Sequence, residues 1–405
     1  MKAVKTIAAL IFVTAFGVVL VQPVLRADDE PDRTNRPNGT AAAPSEEPPA
    51  DDDDANDLED PPKSLIAFGY PERCMRRVPP DATGLVAARR GSTVSIGLPD
   101  AGPLGRSGVE GDAAWSPSGR FLAERGGQLL DTTGAPVATM FFRPVAWQWS
   151  PVADCALAVT EAGNLTFSIA GTKKLGIQLL NAPVAAFELS PNGRRLALVL
   201  EDDGMWIADL RDGAVRRVTR THTSLFGWFS NRALLYSKSA GSGKLRYTSG
   251  RGKRRVVRGA FASTTLSQCE GRTLLTALGS ESDAPLAELV ARDGRVKRIV
   301  LPGTPATYAG FSGASCSPDG GFIVASALTQ AGEKGPLVLL QSDGTLVRQL
   351  MRGLTANPTW TSQGVLFVKF GAAGRGRLWF IPPDGAPVPT AYKVGAPNQY
   401  DWAAR

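Results

Sequence analysis

Histidine is nearly missing from this chain of 405 residues, and its scarcity excludes several classes of functional site. Because His222 is the only one, no histidine cluster exists to hold a metal ion, and a Ser-His-Asp hydrolase would depend on that single side chain. Four cysteines are too few to build a fold of this size from disulfides. Charged residues make up only 20% of the chain and apolar residues 43%, which is enough for a sizeable core.

The N-terminus has the pattern of an export signal or a membrane anchor. Lys2 and Lys5 precede an uncharged apolar run from Ile7 to Val21, which is long for a signal peptide and short for a membrane-spanning helix. Two interpretations of residues 1–27 therefore stay open, a cleaved signal peptide and a retained single-pass anchor. Both predict that the rest of the chain leaves the cytoplasm, because the two lysines mark the side that stays inside.

Residues 28–63 have a composition that cannot form a core. They include Asp51–Asp54 and repeated prolines but almost no aromatic or branched apolar side chains, so burial cannot offset the entropy of ordering the backbone. We predict a disordered, self-repelling acidic linker. The first 62 residues hold 13 acids and 5 bases, which leaves 25 acids and 40 bases, a net charge of +15, in the rest of the chain.

From Trp115 onward the chain repeats a unit of about forty residues. A large apolar residue is followed by a Ser-Pro-Asx-Gly turn, a dense apolar run, an alternating run, an Asp-Gly hairpin signal and a short basic run. This period, with no helical pattern inside it, is typical of small four-stranded sheets stacked around an axis. The units open at Trp115, Trp149, Leu189, Trp228, Leu266, Cys316, Trp360 and Trp402.

The last unit stops after its first strand, whereas the residues before the first unit supply three strands that lack a first one. The sequence therefore predicts an all-β fold, a β-propeller of eight four-stranded blades within residues 64–405, closed by pairing the C-terminal strand with the N-terminal blade. Seven blades are the alternative, if the longest unit has been misread. The four segments of the composite blade are Leu85–Arg89, Thr93–Leu98, Pro103–Val109 and Tyr400–Trp402.

The turn motifs also resemble a known repeat family. WSPSG, LSPNG and CSPDG, which begin at Trp115, Leu189 and Cys316, are each followed by an apolar strand and a hairpin, like the WD40-like (PD40) repeats of TolB-type propellers. The resemblance covers about residues 83–405, and it implies an exported platform that binds a protein or other ligand without catalysis. The units at 228, 266 and 360 depart from the motif, so those blades depend on spacing more than on sequence.

No motif in the chain indicates catalysis. A G-x-S-x-G nucleophile elbow is absent, and the glycine-rich stretch 371–376 is typical of a hairpin loop and not of a phosphate cradle. The periodic tryptophans indicate packing between blades and not base stacking, so we expect no nucleic acid, and we expect no cofactor or metal. The alternative function is a small-molecule hydrolase or lyase, which would need carboxylates that converge with His222 in the central pocket.

Recognition by a propeller uses loops on a rigid ring. We expect the binding rim in the connections from the fourth strand of one blade to the first strand of the next. In this chain those connections contain Arg143, His222, Tyr308, Asn357, Asn398 and Asp401.

Basic residues are concentrated on and beside the predicted outer strands, where charge favours solubility. A sharper hypothesis is an electropositive rim that binds an anionic polymer, lipid headgroups or the chain's own acidic linker. We expect the partner to be a protein or other macromolecule of the cell envelope and the protein itself to be a monomer. The two densest groups are Arg211, Arg216, Arg217 and Arg220, and Arg246, Arg251, Lys253, Arg254, Arg255 and Arg258.

The four cysteines allow three pairings, and the sequence does not choose among them. Cys269 and Cys316 lie near the same end of neighbouring first strands, which favours a bridge between those two. Cys74 and Cys155 are then left over.

Overall fold

In the computed structural model of this chain, Ser-Pro-x-Gly turns at 116–119, 190–193 and 317–320 end three of the innermost strands. At 190–193 the amide of Gly193 donates to the Ser190 carbonyl at 2.7 Å, and the Ser190 hydroxyl accepts from the Arg195 amide at 2.9 Å. Gly193 has a φ of +66°, a conformation that a residue with a Cβ adopts only under strain. The motif therefore stops the first strand and starts the second within a few residues.

The structure describes 22 stretches of the chain. They are 9–13, 19–23, 70–81, 84–108, 113–140, 144–172, 177–180, 183–201, 203–220, 223, 225–237, 243–249, 254–261, 264–269, 272–278, 285–291, 295–299, 308–329, 334–371, 374–383, 385–396 and 400–403.

The N-terminal apolar run is extended where the structure describes it. Strands β1 (Ala9–Val13) and β2 (Val19–Pro23) pair antiparallel as a two-stranded hairpin. None of the helices among the described residues has the length and apolarity needed to cross a bilayer. The predicted membrane-spanning helix is thus not supported, and the acidic linker at 28–63 lies outside the described residues.

Eight four-stranded antiparallel sheets follow a short 3-10 helix at Glu72–Met75. Seven of them, blades 1 to 7, are continuous in sequence, and the eighth, the closing blade, combines both ends of the propeller. The closing blade begins with β3 (Val86–Arg90), β4 (Thr93–Leu98) and β5 (Gly102–Gly108).

Within each continuous blade the strands lie in chain order, innermost first. Blade 1 holds β6 (Ala113–Trp115), β7 (Leu122–Glu124), β8 (Gln128–Leu130) and β9 (Pro136–Thr139). Blade 2 holds β10 (Ala146–Trp149), β11 (Cys155–Val159), β12 (Leu165–Ile169) and β13 (Ile177–Leu180). Blade 3 holds β14 (Val184–Leu189), β15 (Arg195–Leu200), β16 (Gly204–Asp209) and β17 (Val215–Thr219).

The remaining blades repeat this order. Blade 4 holds β18 (Leu225–Ser230), β19 (Ala233–Ser237), β20 (Gly243–Ser249) and β21 (Arg254–Phe261). Blade 5 holds β22 (Thr264–Cys269), β23 (Arg272–Leu278), β24 (Pro285–Ala291) and β25 (Val296–Arg298). Blade 6 holds β26 (Tyr308–Cys316), β27 (Phe322–Thr329), β28 (Lys334–Gln341) and β29 (Leu346–Met351). Blade 7 holds β30 (Thr355–Thr361), β31 (Gly364–Phe370), β32 (Gly376–Ile381) and β33 (Val388–Val394), and β34 (Tyr400–Trp402) completes the closing blade.

Strand β34 closes the ring as the sequence predicts. It pairs antiparallel with β3, placing Trp402 opposite Val86, and the Ala403 amide donates to the Leu85 carbonyl at 2.8 Å. Trp402 is buried among side chains of blade 7, and Ala403 is buried in the cluster that contains Trp115 of blade 1. The short strand therefore joins the cores on both of its sides, and the eight-blade prediction is confirmed.

Neighbouring innermost strands are joined by a recurrent hydrogen bond. The donor is the backbone amide of the large residue that ends an innermost strand. The acceptor is a side chain in the preceding blade, one position before the large residue that ends the innermost strand of that blade. We call this the seam position; its acceptors are carboxylate, amide or hydroxyl oxygens, all suited to a backbone donor. The pairs are Leu189 to Gln148 (3.2 Å), Trp360 to Ser315 (2.9 Å), Trp115 to Asp401 (2.7 Å) and Trp228 to the Glu188 carboxylate.

Two tryptophans bond to the same seam position through their indole rings. Trp149 Nε1 donates to the Ala114 carbonyl at 2.9 Å, and Trp228 Nε1 donates to the Glu188 carbonyl at 2.9 Å. Both rings are buried between blades. The repeated tryptophans therefore pack the ring together, as their spacing predicts.

Glu188 brings a carboxylate into one of these seams. It is buried, its Oε2 has no hydrogen-bond partner in the described part of the chain, and burial raises its pKa well above the usual range, which the bond from Trp228 only partly offsets. In the folded protein Glu188 holds its proton more tightly than in the unfolded chain. The contribution of Glu188 to the free energy of unfolding is therefore fully present at low pH. It decreases as the pH rises above the ordinary Glu pKa of about 4.3.

Glu188→Gln should stabilise the propeller at pH 8 and have little effect at pH 4, because the amide accepts the Trp228 bond without a buried charge. Gln148 already does this in blade 2. Melting temperatures between pH 4 and pH 8 measure the effect. Gln148→Glu is the matched control and should lose stability selectively at pH 8. Parallel pH profiles for wild type and Glu188→Gln would contradict the prediction.

Trp402→Ala should destabilise the protein by about 3–5 kcal/mol, because it empties a site between two blade cores. Trp147→Ala, which removes a half-buried tryptophan from blade 2, should cost clearly less. Thermal or denaturant unfolding followed by circular dichroism compares the two. Equal losses would mean that β34 has no special part in closing the ring.

Candidate functional site

Residues 70–81, which we call the clip, cross one face of blades 1 and 2 before the first propeller strand. Tyr70 is buried edge-to-face against Phe167, with 5.6 Å between ring centroids, and burial raises the pKa of its hydroxyl. Cys74 is joined to Cys155 of β11 by a disulfide. The Val78 amide donates to the Val152 carbonyl at 2.8 Å. A segment without strand structure is thus fixed covalently and by packing.

The other end of the clip contacts blade 1. The Asp81 amide donates to the Ser118 carbonyl at 2.8 Å, and the Asp81 carboxylate forms an ion pair with Arg120. Ser118 in turn donates from its hydroxyl to Asp154 of blade 2 at 2.7 Å. The clip therefore spans the seam between blades 1 and 2.

A groove of about 630 Å³ lies between the clip and the first turns of blades 2, 3 and 4. Its walls combine an apolar floor, two side-chain amides and three guanidinium groups, and no carboxylate of the described residues lines it. The lining residues are Met75, Arg76, Arg77, Val152, Pro191, Asn192, Arg194 and Asn231.

The turn motif of blade 3 fixes one wall of the groove. Asn192 Oδ1 accepts from the Ser190 hydroxyl at 2.9 Å and from the Arg194 amide at 3.2 Å. These bonds hold the side chain of Asn192 and the backbone of Arg194 in place. The sequence pattern that ends β14 therefore also shapes the groove.

Positive charge dominates the groove. Arg76 contacts Glu72 within the clip at 2.7 Å, and this bond, with weaker attraction from Arg211, lowers the pKa of Glu72. Arg77 and Arg194 are exposed, and neither has an ion-pair partner among the residues that the structure describes. Two uncompensated guanidinium groups thus face the same opening.

The groove and the predicted binding rim lie on opposite faces of the ring. Since the strands of a blade alternate in direction, the turns after the first strand share one face, and the connections from the fourth strand to the next blade share the other. The groove uses turns of the first kind, whereas the prediction used connections of the second kind. The groove was not predicted, although Arg73, Arg76 and Arg77 beside Cys74 are a signal visible in the sequence.

The described rim residues take part in contacts between blades. Asp401 accepts the Trp115 amide, as given above, and Asn357, with a φ of +48°, forms a bulge whose carbonyl accepts from the Tyr400 hydroxyl. Asn357 thus lies at the junction of blade 7 and the closing blade, and Asp401 lies at the junction of the closing blade and blade 1. Tyr308 begins β26, but its side chain is not described, and Arg143, His222 and Asn398 lie outside the described residues.

Two of the arginines predicted for a basic rim are used within the fold. Arg216 donates to the Ser249 carbonyl of blade 4 at 2.8 Å. Arg217 forms an ion pair with Asp203 and lies 4.5 Å from the centroid of the Trp206 ring. The exposed cations at the groove are a different set, contributed by the clip and by one turn.

Comparison with known proteins shows the fold and not a family. No protein-family model and no curated protein matches the chain, so the likeness to TolB-type repeats remains a resemblance. The dihydro-heme d1 dehydrogenase NirN, in complex with DHE, superposes with a TM-score of 0.56 at 15% identity, over 81% of this chain and 77% of that one. At such identity the likeness shows a shared fold alone.

Two further solved structures are similar to this chain at lower TM-scores. The β-propeller domain of Cps50 (Swd1) from Myceliophteria thermophila has a TM-score of 0.44 and 17% identity, over 68% of this chain and 98% of that one. BamB from Moraxella catarrhalis has a TM-score of 0.47 and 16% identity, over 76% of this chain and 94% of that one.

Removing the clip disulfide by Cys74→Ala and Cys155→Ala should destabilise the protein by about 4.5 kcal/mol, the loop-closure entropy of an 81-residue separation. It should also speed trypsin cleavage after Arg73, Arg76 and Arg77. Thermal unfolding and timed proteolysis measure the two effects. A melting temperature and a cleavage rate equal to those of wild type would contradict the prediction.

The Cys74–Cys155 disulfide was not predicted from the sequence, which left these two cysteines over. Non-reducing peptide mapping tests the bridge that was predicted, between Cys269 and Cys316. Cys316 is disulfide-bonded in the structure, whereas the side chain of Cys269 is not described, so the pairing of these two stays a prediction. We expect one linked peptide that contains both residues. Recovery of Cys269 as a free, alkylated thiol would contradict it.

Proposed function

We propose that this protein is an exported β-propeller, held at the membrane by its N-terminal segment, that binds a protein partner and catalyses no reaction. The groove carries the proposal, because it presents an apolar floor and two guanidinium groups that have no ion-pair partner among the described residues, all on a covalently fixed frame. Rigid rings that display loops are suited to recognition, since the loops vary without loss of the core.

Two observations support an extracytoplasmic location. Lys2, Lys5 and the apolar run behind them have the charge order of an export signal. A buried disulfide that anchors the clip is typical of proteins that mature in oxidising compartments, because cytosolic thiols are kept reduced. The partner would then belong to the cell envelope, and the protein would act as a monomer.

The enzyme alternative has no supporting observation in the described residues. A group of three or more side chains that could hold a metal is not present in the part of the chain that the structure describes. His222, on which hydrolysis would depend, lies outside it. We therefore do not propose a hydrolase or lyase.

Site-specific photo-cross-linking in intact cells tests the binding function. A photoreactive residue at Arg77 or Arg194 should capture one partner of defined mass. The same residue at Arg348, exposed on β29 of blade 6, is the control and should not capture it. Equal labelling from all three positions, or none from the groove, would contradict a binding platform at this face.

A reporter tests the location independently. Alkaline phosphatase fused after Arg405 should be active, because it folds only after export, and the protein should stay in the membrane fraction after a high-salt wash. An N-terminus that begins after Ala27 would instead show cleavage and release. Enzymatic inactivity of the fusion, with the protein found among cytosolic components, would contradict export.

A further inference from the structure

The groove combines three kinds of surface that few ligands use together. Met75, Val152 and Pro191 offer apolar contact, Asn192 and Asn231 offer amides, and the arginines offer planar cations. Its volume of about 630 Å³ lies within the range of specific ligand sites. A polyphosphate or a lipid headgroup would use the cations but would leave the apolar floor bare.

A peptide with acidic side chains fits all three kinds of surface. Its carboxylates match the guanidinium fork, its backbone amides pair with asparagine, and an apolar side chain covers the floor. Arg76 already binds a carboxylate of this kind, that of Glu72 at 2.7 Å. That pair is exposed and worth little, so an incoming carboxylate can replace Glu72 at small cost.

We propose that the groove binds a carboxylate-rich peptide segment with at least one apolar side chain, contributed by a partner protein. The inference rests on the proposed function and names the chemistry of its partner. Arg77 and Arg194 are the main contacts, because no described acid competes for them. Burial of the apolar side chain against Met75 and Val152 adds specificity that charge alone does not give.

The chain itself contains a second source of the same chemistry. Residues 51–60 read DDDDANDLED, and Asp60 precedes Tyr70 at the start of the clip by ten residues. Ten extended residues span up to about 35 Å, so this stretch competes at a high effective concentration if it binds at all. The test must therefore separate a partner's peptide from the chain's own.

Fluorescence anisotropy with the full-length protein tests the proposal, with a labelled DDDDANDLED peptide as the probe. We expect saturable binding that weakens at least tenfold in Arg77→Ala/Arg194→Ala. The matched control, Arg348→Ala/Arg352→Ala on blade 6, should change the Kd less than twofold. A probe with Leu58→Ser should bind several-fold more weakly, and one with all acids changed to amides should not bind.

Several outcomes would overturn the proposal. An equal loss in both arginine pairs would show diffuse charge attraction, and an unaffected Kd in the groove variant would show another site. Binding of inorganic polyphosphate or phosphatidylglycerol vesicles through Arg77 and Arg194, with no peptide binding, would show a different ligand. If Asp51–Asp54→Asn in the full-length protein made it bind the probe at least tenfold more tightly, the chain's own linker would be the occupant of the groove.

The cross-linking result separates this inference from the function on which it rests. If a partner is captured at Arg77 but the acidic probe does not bind, the proposed binding function stands and the acidic-peptide proposal is wrong. If no partner is captured but the probe binds specifically, the proposal of an envelope partner is wrong and the proposed chemistry of the ligand stands.

Discussion

Hydrogen bonds from buried backbone amides to the seam position hold this ring together. At the end of an innermost strand the amide points toward the preceding blade and not toward a partner in its own sheet, so it would be costly to bury without an acceptor. Gln148, Ser315, Glu188 and Asp401 supply that acceptor in four seams. The sequence can therefore vary at this position as long as an oxygen remains there.

The same constraint applies to the two rim residues whose side chains the structure describes. Asp401 and Asn357 are occupied by contacts that join blades, and Trp149 and Trp228 are buried at seams. Segments that the ring does not need for closure remain available for binding. The clip is such a segment, since it is attached to blades 1 and 2 from outside, and its Arg77 has no ion-pair partner among the described residues.

The fold could be predicted from the sequence because its signals are local and repeated. Serine, proline and glycine at fixed offsets mark the first turns at 116–119, 190–193 and 317–320, and a period near forty residues makes even the blades with altered motifs recognisable. Closure by Tyr400–Trp402 followed from counting strands. The groove could not be found this way, because the clip occurs once and its contact with blade 2, between Cys74 and Cys155, spans 81 residues. The blade 3 turn at 190–193, which lines the groove, has the same Ser-Pro-x-Gly pattern as the turns at 116–119 and 317–320, which are not among the lining residues.

Strand β34 has a consequence for the order in which the molecule matures. Its contacts bridge 286 positions of chain, from Asp401 to Trp115, and among the described strands of the propeller it is the last to be synthesised. Seven sheets can form as they emerge, but the ring does not close until β34 has been synthesised. Contacts so distant in sequence also form slowly. A chain interrupted during synthesis or translocation would present two bare sheet faces, one on each side of the gap, to proteases and chaperones.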